Sequence, residues 1–136
     1  MKLPNEVSDM VLSADSKALA TTYKDTVNVV PVSSIKIVDD KIWLINYFMD
    51  KTLKNISHNP RVALVCWKGL SGYQIKAEVT YVTEGDAFAE AKQWIAKILP
   101  ERIVQGLLIL QPTEIFDISA SKDHVEYLSY EHNQRN

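Results

Sequence analysis

Two short runs in this chain, Ile42-Trp43-Leu44-Ile45 and Val62-Ala63-Leu64-Val65-Cys66-Trp67, are apolar at every successive position. Side chains of a β-strand point alternately to opposite faces, so a strand with no polar position needs cover on both. In a chain of 136 residues one such face can fill a single core. The other has to meet something else, and the economical expectation is a second copy of the chain, a homodimer.

The residues around these runs predict the remaining elements. Residues 4–13 read as an amphipathic helix, with Pro4 suited to the first turn and Val7, Met10 and Val11 on one face. Strands are expected over 17–24, over one long run at 27–38, and at 41–47, with Asp39-Asp40 as the tight turn of a hairpin. Pro31 inside the long run cannot donate to a ladder, which marks an edge, a bulge, or a place where something other than a strand meets the backbone. A short helix at 51–58 leads into a strand at 61–67, followed by the glycine-containing loop 68–72. Residues 73–83 then alternate, with Tyr73, Ile75, Ala77, Val79 and Tyr81 on one face and Gln74, Lys76, Glu78 and Thr80 on the other. Asp86 is placed to cap a helix through about Leu99, whose apolar stripe is Phe88, Ala91, Ile95, Ile98 and Leu99. A last β segment at 105–118 should break near Pro112, and a polar extension follows from 119 to 136. Five or six short strands with hairpin connections and a few short helices give a mainly β fold, a small antiparallel barrel in one domain, 1–136.

Charge and composition exclude several classes of function. A net charge of −2 with dispersed basic residues argues against nucleic acid or an anionic membrane as partner. The lone cysteine, Cys66, rules out an internal disulfide framework and any multi-cysteine metal site. His58, His124 and His132 stand far apart, in no metal-ligand spacing, and no Ser-His-Asp or Cys-His set can be assembled. No apolar stretch approaches a membrane span and the first residues lack a signal-peptide core, so a cytoplasmic location is expected.

What remains is the segment after the strand at 41–47. Lys51 and Thr52 put an ammonium and a hydroxyl on the first turn of the helix, beside backbone N–H groups with no helical partner. That arrangement can seat a phosphate. It is also compatible with a solvated helix start in which Asp50 is the N-cap and Lys51 and Lys54 are surface charges. The Gly-rich loop of a Walker motif is missing. With no catalytic triad or metal cluster, a phosphorylated cofactor that carries its own chemistry is the reading that gives these residues work.

The order Lys51, then Asn59-Pro60-Arg61-Val62-Ala63-Leu64 with Trp67, then Tyr73-Gln74-Ile75, resembles the pyridoxamine 5′-phosphate oxidase-like family of FMN-binding split barrels. The similarity covers about residues 3–118. Met49-x-Lys51-Thr52 followed by Asn55 is similar to the small single-domain FMN-binding members. This resemblance implies a six-stranded antiparallel split β-barrel of Greek-key type, homodimeric, with two FMN molecules near the subunit interface. It implies that the backbone of 29–34, with Val29, Val30, Pro31, Val32 and Ser33, runs along the flavin ring, which gives Pro31 a role. Leu44, Ile45 and Asn46 match the adjacent flavin-bordering strand. Met49, Lys51 and Thr52 fall at the phosphate segment, and Gln74 matches a family glutamine that reaches the cofactor from the side or across the dimer.

The departures are informative. The larger oxidases carry an arginine before the phosphate-binding lysine, where this chain has Asp50, and begin the flavin strand with arginine, where it has Val29. Only Arg61, Arg102 and Arg135 occur in the sequence, and the arginine-rich C-terminal elements that hold a pyridoxal phosphate are absent. The resemblance therefore implies an FMN flavoprotein, an oxidoreductase acting on a small molecule or an electron-transfer protein, rather than a vitamin B6 oxidase. Relatives of this architecture also use F420 or haem, and a non-catalytic binding or assembly module is the reading from a different class.

Overall fold

In a computed structural model of the chain, residues 1–120 are described. The polar extension lies outside them from residue 121 onward. Helix α1 (Asn5–Ser13) buries Val7 and Val11, the apolar stripe its sequence carries. Seven strands follow: β1 (Ser16–Tyr23), β2 (Thr26–Pro31), β3 (Ile35–Val38), β4 (Lys41–Asn46), β5 (Arg61–Lys68), β6 (Ser71–Val82) and β7 (Gly106–Asp117). Helix α2 (Lys51–Ile56) joins β4 to β5, and α3 (Asp86–Ile98) joins β6 to β7.

All strand pairs are antiparallel, in the order β2-β1-β5-β6-β7-β4-β3. There are seven strands rather than the expected six because the β run at 27–38 splits. Pro31 is the last residue of β2, opposite Ala18 on β1, whereas Ile35 opens β3 opposite Leu44 on β4. Residues 32–34 belong to neither ladder. β2 and β3 thus form the two ends of the sheet although only this short link separates them. Four chain steps reach at most about 14 Å. A flat sheet would hold its outer strands roughly 29 Å apart at the usual strand spacing. The sheet must therefore curl until its ends nearly meet, which gives an open barrel split along 32–34.

Local chemistry explains the turns. Asp39 and Asp40 both adopt positive φ, 51° and 61°, as a two-residue type I′ hairpin requires. The Asp40 carboxylate also accepts the backbone N–H of Leu3 at 3.1 Å. Pro112 does not break β7. The strand bulges there, Lys76 pairing with Glu114 and Ala77 with Pro112, and the extra residue Thr113 donates its hydroxyl to the Lys76 carbonyl. At α3 the N-cap is Gly85, with φ of 95°, and Asp86 is the first helical residue instead of the cap. Of the expected stripe, Ala91 and Ile95 are buried while Ile98 and Leu99 are exposed.

The core occupies both faces of part of the sheet. Leu19, Leu44, Leu64, Ile75, Leu108 and Leu110 fill the barrel under α1. On the outside, Trp43, Ile45 and Leu107 pack against Ala91 and Ile95 of α3. The second face of β4 is thereby covered by this chain's own helix, not by another subunit. The second face of β5 is not: Ala63 and Val65 stay half-buried and Trp67 is 37% exposed. Across the ladder they adjoin Ala18 and Ala20 of β1, and beyond these Val29 of β2.

Candidate cofactor site

A cleft of about 260 Å³ opens beside the split. One wall is Val30, Pro31, Val32 and Ser33; facing them are Ile45 and the loop side chains Tyr47, Phe48 and Met49, and the α3–β7 connection adds Arg102. Because residues 32–34 have left the ladders, their backbone is only partly committed. Val32 donates its N–H to the Lys17 carbonyl at 3.1 Å, whereas the N–H groups of Ser33 and Ser34 have no protein partner among the described residues. A second cleft, about 610 Å³, flanks the same segment between Val29, Pro31, Lys17 and Trp67.

The loop after β4 is held by Asn46, which is 2% exposed. Its side-chain oxygen accepts the Met49 N–H at 2.6 Å, and its Nδ2 donates to the Tyr81 hydroxyl at 2.9 Å. The Asn46 carbonyl accepts the Gln105 N–H. Tyr81 reaches this point only because residue 106 has no side chain: a Cβ on Gly106 would lie 2.0 Å from the Tyr81 oxygen. Further along the loop, the Tyr47 and Ser34 hydroxyls are hydrogen-bonded at 2.7 Å, and the Arg102 guanidinium lies over the Tyr47 ring at 5.4 Å. Three strand ends and the α3–β7 connection thus fix one cleft wall.

The loop then enters α2. Lys51 is exposed. Thr52 is 1% exposed, and its oxygen accepts the amide of Asn28 on β2 at 3.0 Å; one turn on, Asn55 donates to Thr21 on β1 at 3.1 Å. The Asn28 contact leaves the Thr52 hydroxyl proton free to donate. Asp50 stands at the N-cap but its carboxylate caps nothing. A six-residue helix has little dipole, so an anion seat here depends on the Lys51 charge and on local N–H groups.

These features suit a cofactor with a planar ring and a phosphate tail: a slot walled by apolar side chains, backbone N–H groups left uncommitted beside it, and a cation on the adjoining turn. The sequence profile of the pyridoxamine 5′-phosphate oxidase family matches residues 3–130. The chain belongs to this family. An uncharacterized protein of Methanocaldococcus jannaschii is 32% identical over 123 residues, covering 85% of this chain and 82% of its own. The split-barrel fold recurs in HupZ of Group A Streptococcus, with a TM-score of 0.78 at 20% identity over 88% of this chain and 96% of that one. It recurs in an FMN-binding protein of Syntrophomonas wolfei (TM-score 0.75, 17% identity, 85% and 86% covered) and in the haem storage protein HutZ of Vibrio cholerae (0.68, 14%, 91% and 99%).

Of the residues that the family resemblance singles out, Val30, Pro31, Val32, Ser33, Ile45 and Met49 converge on the first cleft. Val29 lines the second. Leu44 is fully buried in the barrel core, and Asn46 is buried behind the loop it shapes. Lys51 and Thr52 adjoin the site through the turn after Met49. Gln74 lies on the outward face of β6, opposite Val65 and Phe116, away from both clefts. Four residues escaped sequence reasoning: Asn28, Tyr47, Phe48 and Arg102. Phe48 lies 85% exposed in the connection between β4 and α2. His58 stacks on Tyr23 with ring centres 4.2 Å apart and takes no part. No group of His, Cys, Asp or Glu that could hold a metal occurs among the described residues, and no helix among them is long and apolar enough to cross a membrane.

Proposed function

We propose that this member of the family is an FMN-binding flavoprotein, working as an oxidoreductase or an electron-transfer protein. The observation that carries the reading is the cleft along 30–33, with Lys51 on the turn that leaves its opposite wall. Lys51 and the Thr52 hydroxyl, oriented by Asn28, would hold the phosphate. The partly uncommitted backbone at 32–34 would meet the polar edge of the ring, and Ile45 and Met49 would exclude water from its face. Bound FMN supplies hydride or single-electron transfer; the chain contributes orientation, solvent access and charge. The likeness to HutZ raises haem as an occupant. FMN is preferred because Lys51 and the Thr52 hydroxyl offer a seat for a single phosphate on the turn beside the slot.

The proposal includes a homodimer. Its support is the outward apolar row of Val29, Ala20, Ala63, Val65 and Trp67, which nothing in the described chain covers. A second copy on that face would also bring its own groups near Val29 and the second cleft, and Gln74 could then reach a cofactor of the partner. The test is direct: the purified chain, mixed with FMN and desalted, should keep a yellow chromophore. A colourless protein after saturating FMN would refute the reading.

A further inference from the structure

Among the described residues one charged side chain lines the cleft, and the family resemblance gave it no role. Arg102 lies in the α3–β7 connection, exposed, in the wall otherwise built from apolar groups and the hydroxyls of Ser33 and Tyr47. Among the described residues no carboxylate lines this cleft and Arg102 has no ion-pair partner. It is nevertheless held in place. Its guanidinium sits over the Tyr47 ring at 5.4 Å, Tyr47 is tied to Ser34 at 2.7 Å, and the loop carrying Tyr47 hangs on Asn46. A guanidinium resting on an aromatic face keeps N–H donors for an acceptor and loses little freedom on engaging one. An unpaired, positioned cation in an apolar slot is a receptor for an anionic oxygen.

We propose that Arg102 is an anion-recognition residue of this cleft. The group it takes is a phosphate or a carboxylate. Two sources share that chemistry: the phosphate of FMN itself, or a carboxylate on a small second substrate admitted beside the ring. The first source rests on the flavin reading above, and the second needs only the cleft. Size favours a small ligand, since 260 Å³ on one chain accommodates a ring system rather than a large molecule.

The sequence contains only three arginines, Arg61, Arg102 and Arg135, so side-chain Nε–H signals of the full 15N-labelled chain number three at most. Arg102→Lys removes and thereby assigns one. The chain is titrated with FMN, with riboflavin, which lacks the phosphate, and with benzoate as a plain aromatic carboxylate. Movement of the Arg102 signal by FMN and not by riboflavin identifies the phosphate source. Movement by benzoate, with or without FMN present, identifies the carboxylate source. Arg102→Gln should then weaken that same ligand at least about tenfold while the melting temperature holds, the range expected for one charge-assisted contact. An Arg102 signal that ignores benzoate, and responds to FMN no more than to riboflavin, overturns the proposal. Should the wild-type chain take up no FMN, the flavin reading fails by itself and benzoate alone decides the role of Arg102.

Discussion

Gly106→Ala offers a sharp test of how the cleft wall is built. A methyl group there would stand 2.0 Å from the Tyr81 oxygen and 2.2 Å from its Cζ, far inside contact distance, so the ring must move. Overpacking of this kind costs roughly 1–3 kcal/mol. Displacing the hydroxyl also strands the Asn46 amide, which is 2% exposed and donates to it at 2.9 Å; an unpaired buried donor adds about 1–3 kcal/mol. The single substitution should therefore destabilise by about 2–6 kcal/mol. Gly106 is not among the residues with positive φ, so alanine itself fits the backbone. In a Tyr81→Ala background both offending atoms are gone, and adding Gly106→Ala should be neutral or gain about 0.4–1 kcal/mol by restricting the unfolded chain. Urea unfolding of the four proteins closes a double-mutant cycle. An interaction energy of at least about 2 kcal/mol is expected. Costs that add within about 0.5 kcal/mol would show that Tyr81 does not occupy the space Gly106 leaves.

Two further outcomes follow from charge. Asp50 is exposed, leaves its carboxylate unused as a cap and precedes Lys51, so Asp50→Asn should tighten FMN about threefold at low salt, with the gain fading as ionic strength rises; FMN titrations at two salt concentrations measure it. Burial pushes the Cys66 thiol up from 9.0 to about 11, slightly opposed by the nearby Lys17 charge. The native state thus keeps this proton where the unfolded chain loses it. Its contribution, up to about 2–3 kcal/mol, is fully present below pH 9 and is lost as pH rises toward 11. Cys66→Ser should flatten that decline in unfolding free energy between pH 9 and 11, and an unchanged slope would contradict the assignment.

Much of the fold was legible because its signals are local. The alternation from Tyr73 to Tyr81 places β6 with its correct inner face, and Asp39-Asp40 marks a type I′ turn by chemistry those two residues alone supply. The split at 32–34 was only half legible: Pro31 and Ser33-Ser34 interrupt the run from Val27 to Val38, but both halves keep strand-forming residues. What divides them is that β2 finds β1 while β3 finds β4, a choice made by partners distant in sequence. The same holds for the site. Pro31 marked an edge among its alternatives, and β2 does form one end of the sheet. The residues of 30–33, Ile45 and Met49 line one cleft. Leu44 and Asn46 are next to the cleft in sequence but behind it in space, a matter of strand parity and loop anchoring. Arg102 joins only when α3 returns the chain to β7, and no spacing rule reports that return. The outward face of β4 looked like a subunit contact for a related reason: its cover, α3, begins forty residues further along.

The central claim is that the phosphate of a flavin docks where β4 gives way to α2. The measurement that tests it most directly is a paired titration of FMN and riboflavin into the wild-type chain and Lys51→Ala, followed by flavin fluorescence. Wild type should bind FMN more tightly than riboflavin. The substitution should weaken FMN by about 10- to 150-fold, the value of one charge-assisted contact, and leave riboflavin unchanged. Equal affinities for the two flavins in the wild type, or an FMN affinity indifferent to Lys51, would contradict the account.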